Sequence, residues 1–168
     1  MTTNSEPPEP RADVEIDVVL NGEEIERTVG ADTLLSAFLR NEEYLTGTHR
    51  GCESSKCGAC TVLVDDEPVK SCNMLAAQVD RSELRTVEGL AQGGQLHPVQ
   101  ESFWETHGLQ CGFCTPGMVL NATALLETNE DPSVDEIQKH ISGNICRCTG
   151  YTKIVESVKN AADGVESE

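Results

Sequence analysis

The 168-residue sequence predicts an α+β chain in two successive parts, a strand-rich first half and an all-helical second half. Three observations lead there. Up to Val87 the apolar residues alternate with polar ones, as in half-buried strands. From Gly89 onward they recur at the i, i+3, i+4 spacing of amphipathic helices. The eight cysteines fall into two groups of four, one in each half, so each half is organised around its own thiols.

Residues 1–13 are polar, acidic and Pro-rich, and are expected to be a disordered tail. Val14, Ile16, Val18 and Leu20 then alternate with outward-facing partners, Asn21-Gly22 is a two-residue hairpin turn, and Glu24 to Val29 returns as a second strand. Asp32 or Thr33 can cap a short helix that carries Leu34, Leu35, Phe38 and Leu39 on one face, with Arg40 near its end. The loop Gly47 to Cys60 follows. Thr61 to Asp65 and Val69 to Cys72 read as a second hairpin around Asp65-Asp66-Glu67-Pro68, and Glu83 to Val87 as a last strand. Hairpin, helix, cysteine loop and further strands make a small β-grasp domain over residues 14–89.

The second domain, residues 90–165, follows a linker ending at Gln92-Gly93-Gly94-Gln95. Pro98 starts a helix with Val99, Phe103, Trp104 and His107 on one face, and Phe103 and Trp104 read as core residues. Thr115 to Thr128 is the second helix, with Thr115 as N-cap, Pro116 in its first turn, and Met118, Ala122, Leu125 and Leu126 facing inward. Ser133 with Glu136 is a capping box for a third helix bearing Val134, Ile137 and Ile141, which Ser142-Gly143-Asn144 ends. Tyr151 to Asp163 is the fourth, its stripe formed by Tyr151, Ile154, Val155, Val158 and Ala162. Four amphipathic helices on short links form a helical bundle.

The cysteine spacings carry the chemistry. Cys52, Cys57 and Cys60 are separated by four and then two residues, and Cys72 follows after eleven more, which is the plant-type ferredoxin spacing for a [2Fe–2S] cluster. Gly51, Gly58 and Ala59 let the loop wrap closely enough for backbone N–H groups to reach sulfur. In the second half Cys111 and Cys114, then Cys146 and Cys148, stand at the starts of two helices. Converging helix N-termini offer free N–H groups and positive dipole ends, which suit an anionic thiolate-ligated cluster better than a neutral disulfide. Four-cysteine sites also bind zinc, but the four-and-two spacing of the first set belongs to a cluster.

Composition narrows the remaining classes. The formal net charge of −17 argues against nucleic acid and anionic membrane as partners. Acidic residues are scattered along the chain rather than gathered in one tail, which points to adaptation to molar salt, a halophilic character. No signal peptide or membrane span is evident, so the expected compartment is the cytoplasm, where cysteines are ligands rather than disulfides.

Both cysteine sets, in this order, resemble those of the iron–sulfur subunit of the molybdenum hydroxylase family, which includes xanthine dehydrogenase, aldehyde oxidoreductase and aerobic carbon monoxide dehydrogenase. The resemblance spans Val14 to Ala162, and the C-x2-C pair followed by 31 residues and C-x-C narrows it to this family. Cys52 to Cys57, Val69 to Cys72 and Ser142 to Tyr151 look most like the small subunit of the carbon monoxide dehydrogenase branch, with Ser55 where many members have glycine. The resemblance implies a chain that carries two [2Fe–2S] clusters between a large subunit holding molybdenum on a pterin and a medium subunit holding FAD. It assigns Cys52, Cys57, Cys60 and Cys72 to the first cluster and Cys111, Cys114, Cys146 and Cys148 to the second. It also places Gln110 and Cys148 against the pterin. No residue is a credible acid, base or nucleophile, and His97, His107 and His140 lack ligand spacing. His49, three residues before Cys52, is retained as a donor beside the first cluster. The alternative is a free-standing two-cluster ferredoxin.

Overall fold

The computed structural model describes residues 12–164. The tail expected over residues 1–13 falls largely on residues outside the described ones, and its end is already strand: β1 runs Asp13–Leu20. Ile16, Val18 and Leu20 are buried on one face, as their alternation requires. Asn21 and Gly22, both at positive φ, turn the chain into β2, Glu23–Gly30, which pairs antiparallel with β1 from Asp13↔Gly30 to Leu20↔Glu23. β2 is an edge strand, and its outward charges discourage further pairing.

β3 (Thr61–Val64), β4 (Glu67–Lys70) and β5 (Glu83–Arg85) complete a five-stranded sheet in the order β2-β1-β5-β3-β4. β5 lies parallel to β1 and antiparallel to β3, so the last strand joins the two hairpins through the centre of the sheet. It is shorter than its sequence suggests. Beyond Arg85 the chain leaves the sheet for a 3-10 turn at Val87–Gly89.

The helix after β2 is also modified. Only Leu35–Ala37 is α-helical (α1), and Phe38–Glu42 widens into a π turn closed by Glu43 N–H to Phe38 O at 3.1 Å. Leu35, Phe38 and Leu39 are fully buried against Ile16, Val18, Val62, Val64 and Leu84. This is the first of two hydrophobic clusters.

The second is built by α2 (Pro98–Glu105), α3 (Thr115–Thr128), α4 (Val134–Ile141) and α5 (Thr152–Ala162). It contains Val99, Phe103, Met118, Leu120, Ile137, Ile154 and Val158, and also Leu63 from β3. Every residue of β3 is buried, because one face of the strand packs on the first cluster and the other on the helices. In α2 the structure departs from the expected face: Phe103 is buried, but Trp104 is 70% exposed. One helical residue turns the ring by about 100°, out of the stripe of Val99 and Phe103.

The helix starts agree with the capping chemistry, with one shift. Ser133 and Glu136 form the expected box, and His97 caps α2 by accepting from Val99 N–H at 3.3 Å. For α3 the N-cap is Cys114 rather than Thr115, which is already helical.

Candidate metal centres

The first cysteine loop folds around sulfur. Glu53 and Ser55 adopt φ of 52° and 60°, and these left-handed turns aim the N–H groups of Ser54 and Cys57 at Cys52 Sγ, at 3.4 and 3.3 Å. The Ser54 hydroxyl, then the two N–H groups, lower the Cys52 thiol to about 6, a thiolate at neutral pH. Cys60 and Cys72 are buried on the sheet side of the loop. Burial pushes Cys60 up to about 11, and Cys72 is its hydrogen-bond partner. The Ser71 hydroxyl and N–H both donate to Cys60 O, at 2.7 and 3.2 Å, and so tie the fourth cysteine to the third.

The second set meets from two helix starts. Cys148 Sγ lies 3.6 Å from Cys111 Sγ. Cys114 and Cys146 are likewise hydrogen-bond partners, and burial first, then Cys146, pushes Cys114 up to about 12. Burial also pushes at Cys146, but the Thr149 hydroxyl, donating to Cys146 Sγ at 3.2 Å, and neighbouring N–H groups outweigh it and lower the thiol. Tyr151, the left-handed N-cap of α5 at φ 70°, accepts the Cys146 N–H on its hydroxyl at 2.8 Å. Its own N–H returns to Thr149 Oγ1 at 3.1 Å, so the C-x-C turn is braced from inside.

These thiols fit a two-iron cluster. Two thiolates on one tetrahedral ion, each about 2.3 Å from it, stand about 3.7 Å apart, close to the Cys111–Cys148 separation. With Cys114 and Cys146 also partners, the second set divides into two pairs, as one pair per iron requires. Each loop also holds a buried hydroxyl without a partner, Ser55 Oγ and Thr115 Oγ1, where a cluster sulfur would serve as acceptor.

The two loops touch. Ile145 N–H donates to Cys57 O at 2.8 Å, one residue from Cys146. Asn144 is buried between them: its Nδ2 donates to Gly58 O at 3.1 Å, and its Oδ1 accepts from Asn121 Nδ2 at 2.9 Å and from Lys70 Nζ at 3.0 Å. Glycine is required on both sides, since a Cβ at Gly117 would stand 2.3 Å from Gly58 O and one at Gly58 would stand 2.5 Å from Gly143 O. His49 belongs to the same seam. Its hydrogen bond is Nδ1 to Phe113 O at 2.8 Å, and its ring stacks on Phe113 at 4.8 Å, so it bridges to the second loop rather than donating to Cys52.

Gln110, Cys111 and Cys148 are exposed, flanked by Phe113 and Ile145 with half of their surface open. His107 is exposed, and His140 is half-buried, its burial holding it below the ordinary imidazole value. Sequence reasoning missed Lys70, Asn144 and Tyr151. In the sequence Tyr151 reads as the first residue of the stripe on the last helix.

Comparison with known proteins finds a cluster-binding domain in each half of the chain. Residues 18–91 match the family of the 2Fe-2S iron-sulfur cluster binding domain, and residues 86–159 that of the [2Fe-2S] binding domain. The chain is 51% identical to the caffeine dehydrogenase subunit gamma of Pseudomonas sp. (strain CBB1), covering 90% of this chain and 92% of that one. It is 51% identical to the nicotine 6-hydroxylase small subunit of Paenarthrobacter nicotinovorans (92% and 93%), and 43% identical to the xanthine dehydrogenase iron-sulfur-binding subunit of Escherichia coli O157:H7 (86% and 92%). Among solved structures, quinoline 2-oxidoreductase from Pseudomonas putida 86 superposes with a TM-score of 0.87 at 42% identity, over 90% of this chain and 94% of that chain. Aldehyde oxidoreductase from Desulfovibrio gigas gives 0.85 at 40% identity, over 89% of this chain but 17% of that one.

Proposed function

Because the chain belongs to the family of iron–sulfur electron-transfer subunits of the molybdenum hydroxylases, with two [2Fe–2S] domains, we propose that it relays electrons from a molybdenum-pterin site in a large subunit to FAD in a medium subunit. Cys52, Cys57, Cys60 and Cys72 hold the first cluster, and Cys111, Cys114, Cys146 and Cys148 the second. The clusters supply one-electron acceptors in series. What the chain's own residues do is hold the ligands and set the route.

The observation that carries the reading is the hydrogen bond from Ile145 N–H to Cys57 O. It joins a ligand of the first set to the neighbour of a ligand of the second with no intervening side chain. Gln110 and Cys148, exposed beside Phe113 and Ile145, form the face that meets the pterin-bearing subunit. A first set near the other side of the seam then delivers to the flavin. A free-standing ferredoxin would have less use for this apolar rim around exposed ligands.

We further read residues 14–89 and 90–165 as the two domains, a division supported by the two hydrophobic clusters and the two family matches. Substrate choice belongs to the large subunit. The relatives' names range over caffeine, nicotine, xanthine and quinoline on one small-subunit scaffold. Ser55 in the first loop marks ancestry in the carbon monoxide dehydrogenase branch and carries no substrate information. The scattered acidic charge supports a molar-salt environment, and eight cysteines read as cluster ligands support a reducing compartment, the cytoplasm. No described helix is long and apolar enough to cross a membrane.

The test is purification of the chain from its native host. About four iron and about four acid-labile sulfide per chain are expected, with two distinguishable paramagnetic signals on reduction and co-purifying subunits that carry molybdenum and flavin. Zinc in place of iron, or a monomeric chain without partners, would overturn the proposal.

A further inference from the structure

Lys70 ends β4 opposite Thr61 of β3, two residues before Cys72. It is half-buried, and its Nζ donates to two neutral oxygens, Thr61 Oγ1 and Asn144 Oδ1, each at 3.0 Å. Among the described residues no carboxylate lies within ion-pair distance of it. That is unexpected in a chain with 29 acidic and 12 basic residues, because a part-buried ammonium without a counter-charge is costly.

The ammonium stands beside the first cysteine loop: Thr61 directly follows Cys60, and its hydroxyl, which accepts from Lys70 Nζ, donates to Gly58 O at 2.7 Å, between Cys57 and Cys60. Thiolate ligands at Cys57, Cys60 and Cys72, all of the first set, are the anions this position offers it. Asn144 keeps the ammonium in place from the other side, being itself bonded to Gly58 O and to Asn121 of α3.

We propose that Lys70 is a positioning residue for electron transfer: its fixed positive charge stabilises an electron on the first cluster more than on the second and so sets the direction between them. The proposal rests on the ligand assignment above. With both clusters bound, a transfer would oxidise the second by one electron and reduce the first by the same electron, with no proton required. The added negative charge would fall on the loop beside the half-buried ammonium, where Coulomb attraction exceeds that in bulk water.

The experiment is a redox titration of the intact complex, followed by the separate paramagnetic signals of the two clusters, in wild type and in Lys70→Met, Lys70→Gln and Lys70→Arg. The two neutral variants are expected to lower the first cluster's potential relative to the second, shifting the electron's partition by about tenfold or more, or about 59 mV for a one-electron couple. Lys70→Arg should restore most of the difference. If Lys70→Gln matched wild type, or both clusters moved together, the charge would not set the direction and the proposal would fall. Should Lys70→Met not assemble, Lys70→Gln, which keeps a hydrogen-bonding amide, decides alone. A wild-type complex lacking two iron signals would instead refute the ligand assignment, so the two failures are distinct.

Discussion

The backbone N–H of Ile145 donates to the carbonyl of Cys57 at 2.8 Å, across the seam between the strand-rich and helical halves. The bond forms only because glycine stands at 58 and 117 on either side of the contact. Gly117→Ala would place a methyl group 2.3 Å from Gly58 O, a backbone atom that cannot rotate away. The variant is expected to lose about 1–3 kcal/mol of stability in denaturant unfolding and to weaken the magnetic coupling between the clusters. Wild-type coupling in Gly117→Ala would show that the seam does not control their separation.

Tyr151→Phe removes the acceptor of the Cys146 N–H. An unpartnered N–H at this buried turn costs about 1–3 kcal/mol. On heating, the paramagnetic signal of the helical-half cluster should disappear first, leaving that of the strand-rich half. Simultaneous loss of both would contradict a local brace.

Arg85 joins the halves, reaching Glu127 of α3 at 2.7 and 2.8 Å and Asp66 at 2.6 Å. The Arg85 hydrogen bonds hold Glu127 below its ordinary value of 4.5, with burial opposing and the Arg85 charge assisting. A depressed carboxylate contributes stability that is complete above its ordinary value and is lost as pH falls through the folded one. Wild type should therefore unfold at a higher temperature than Glu127→Gln near neutrality, and the gap should close below about pH 4.5. A gap that persisted or widened in acid would rule out the ion pair as its source.

Gln110→Ala tests the order of the relay. The variant should disturb docking of the pterin-bearing subunit and the spectrum of the second cluster while sparing that of the first. Slowed flavin reduction together with normal transfer from molybdenum to its first acceptor would reverse the proposed order.

Salt should matter as well. With a net charge of −17, the complex is expected to dissociate or lose its clusters at low ionic strength, where the screening length rises to about 30 Å at 0.01 M. Equal thermal stability in dilute buffer and molar salt would refute this.

Much of this architecture is legible in the sequence because it is periodic or local. The alternation of Ile16, Val18 and Leu20, the Asn21-Gly22 turn and the Ser133–Glu136 box each lie within a few residues, and each appears as expected. The π turn after Ala37 does not announce itself, since one extra residue in a helical turn leaves the apolar spacing nearly unchanged. Trp104 does not share the face that spacing assigns it with Val99, Phe103 and His107, because one residue beyond Phe103 turns it about 100° around α2, toward solvent. The seam was invisible for a different reason: Asn144 and Gly58 are 86 positions apart, and a single hydrogen bond at that distance leaves no pattern along the chain.

β3 carries a last consequence. Leu63 packs among the helices while Val62 and Val64 pack under the sheet. The first half is therefore not an interchangeable module: grafting an ordinary ferredoxin, whose outer sheet face is built for water, onto these helices would leave α3 against polar side chains. A natural exchange of this half between related chains would have to carry the residues of α3 along with it, so the two cluster-bearing segments are expected to be inherited as one unit.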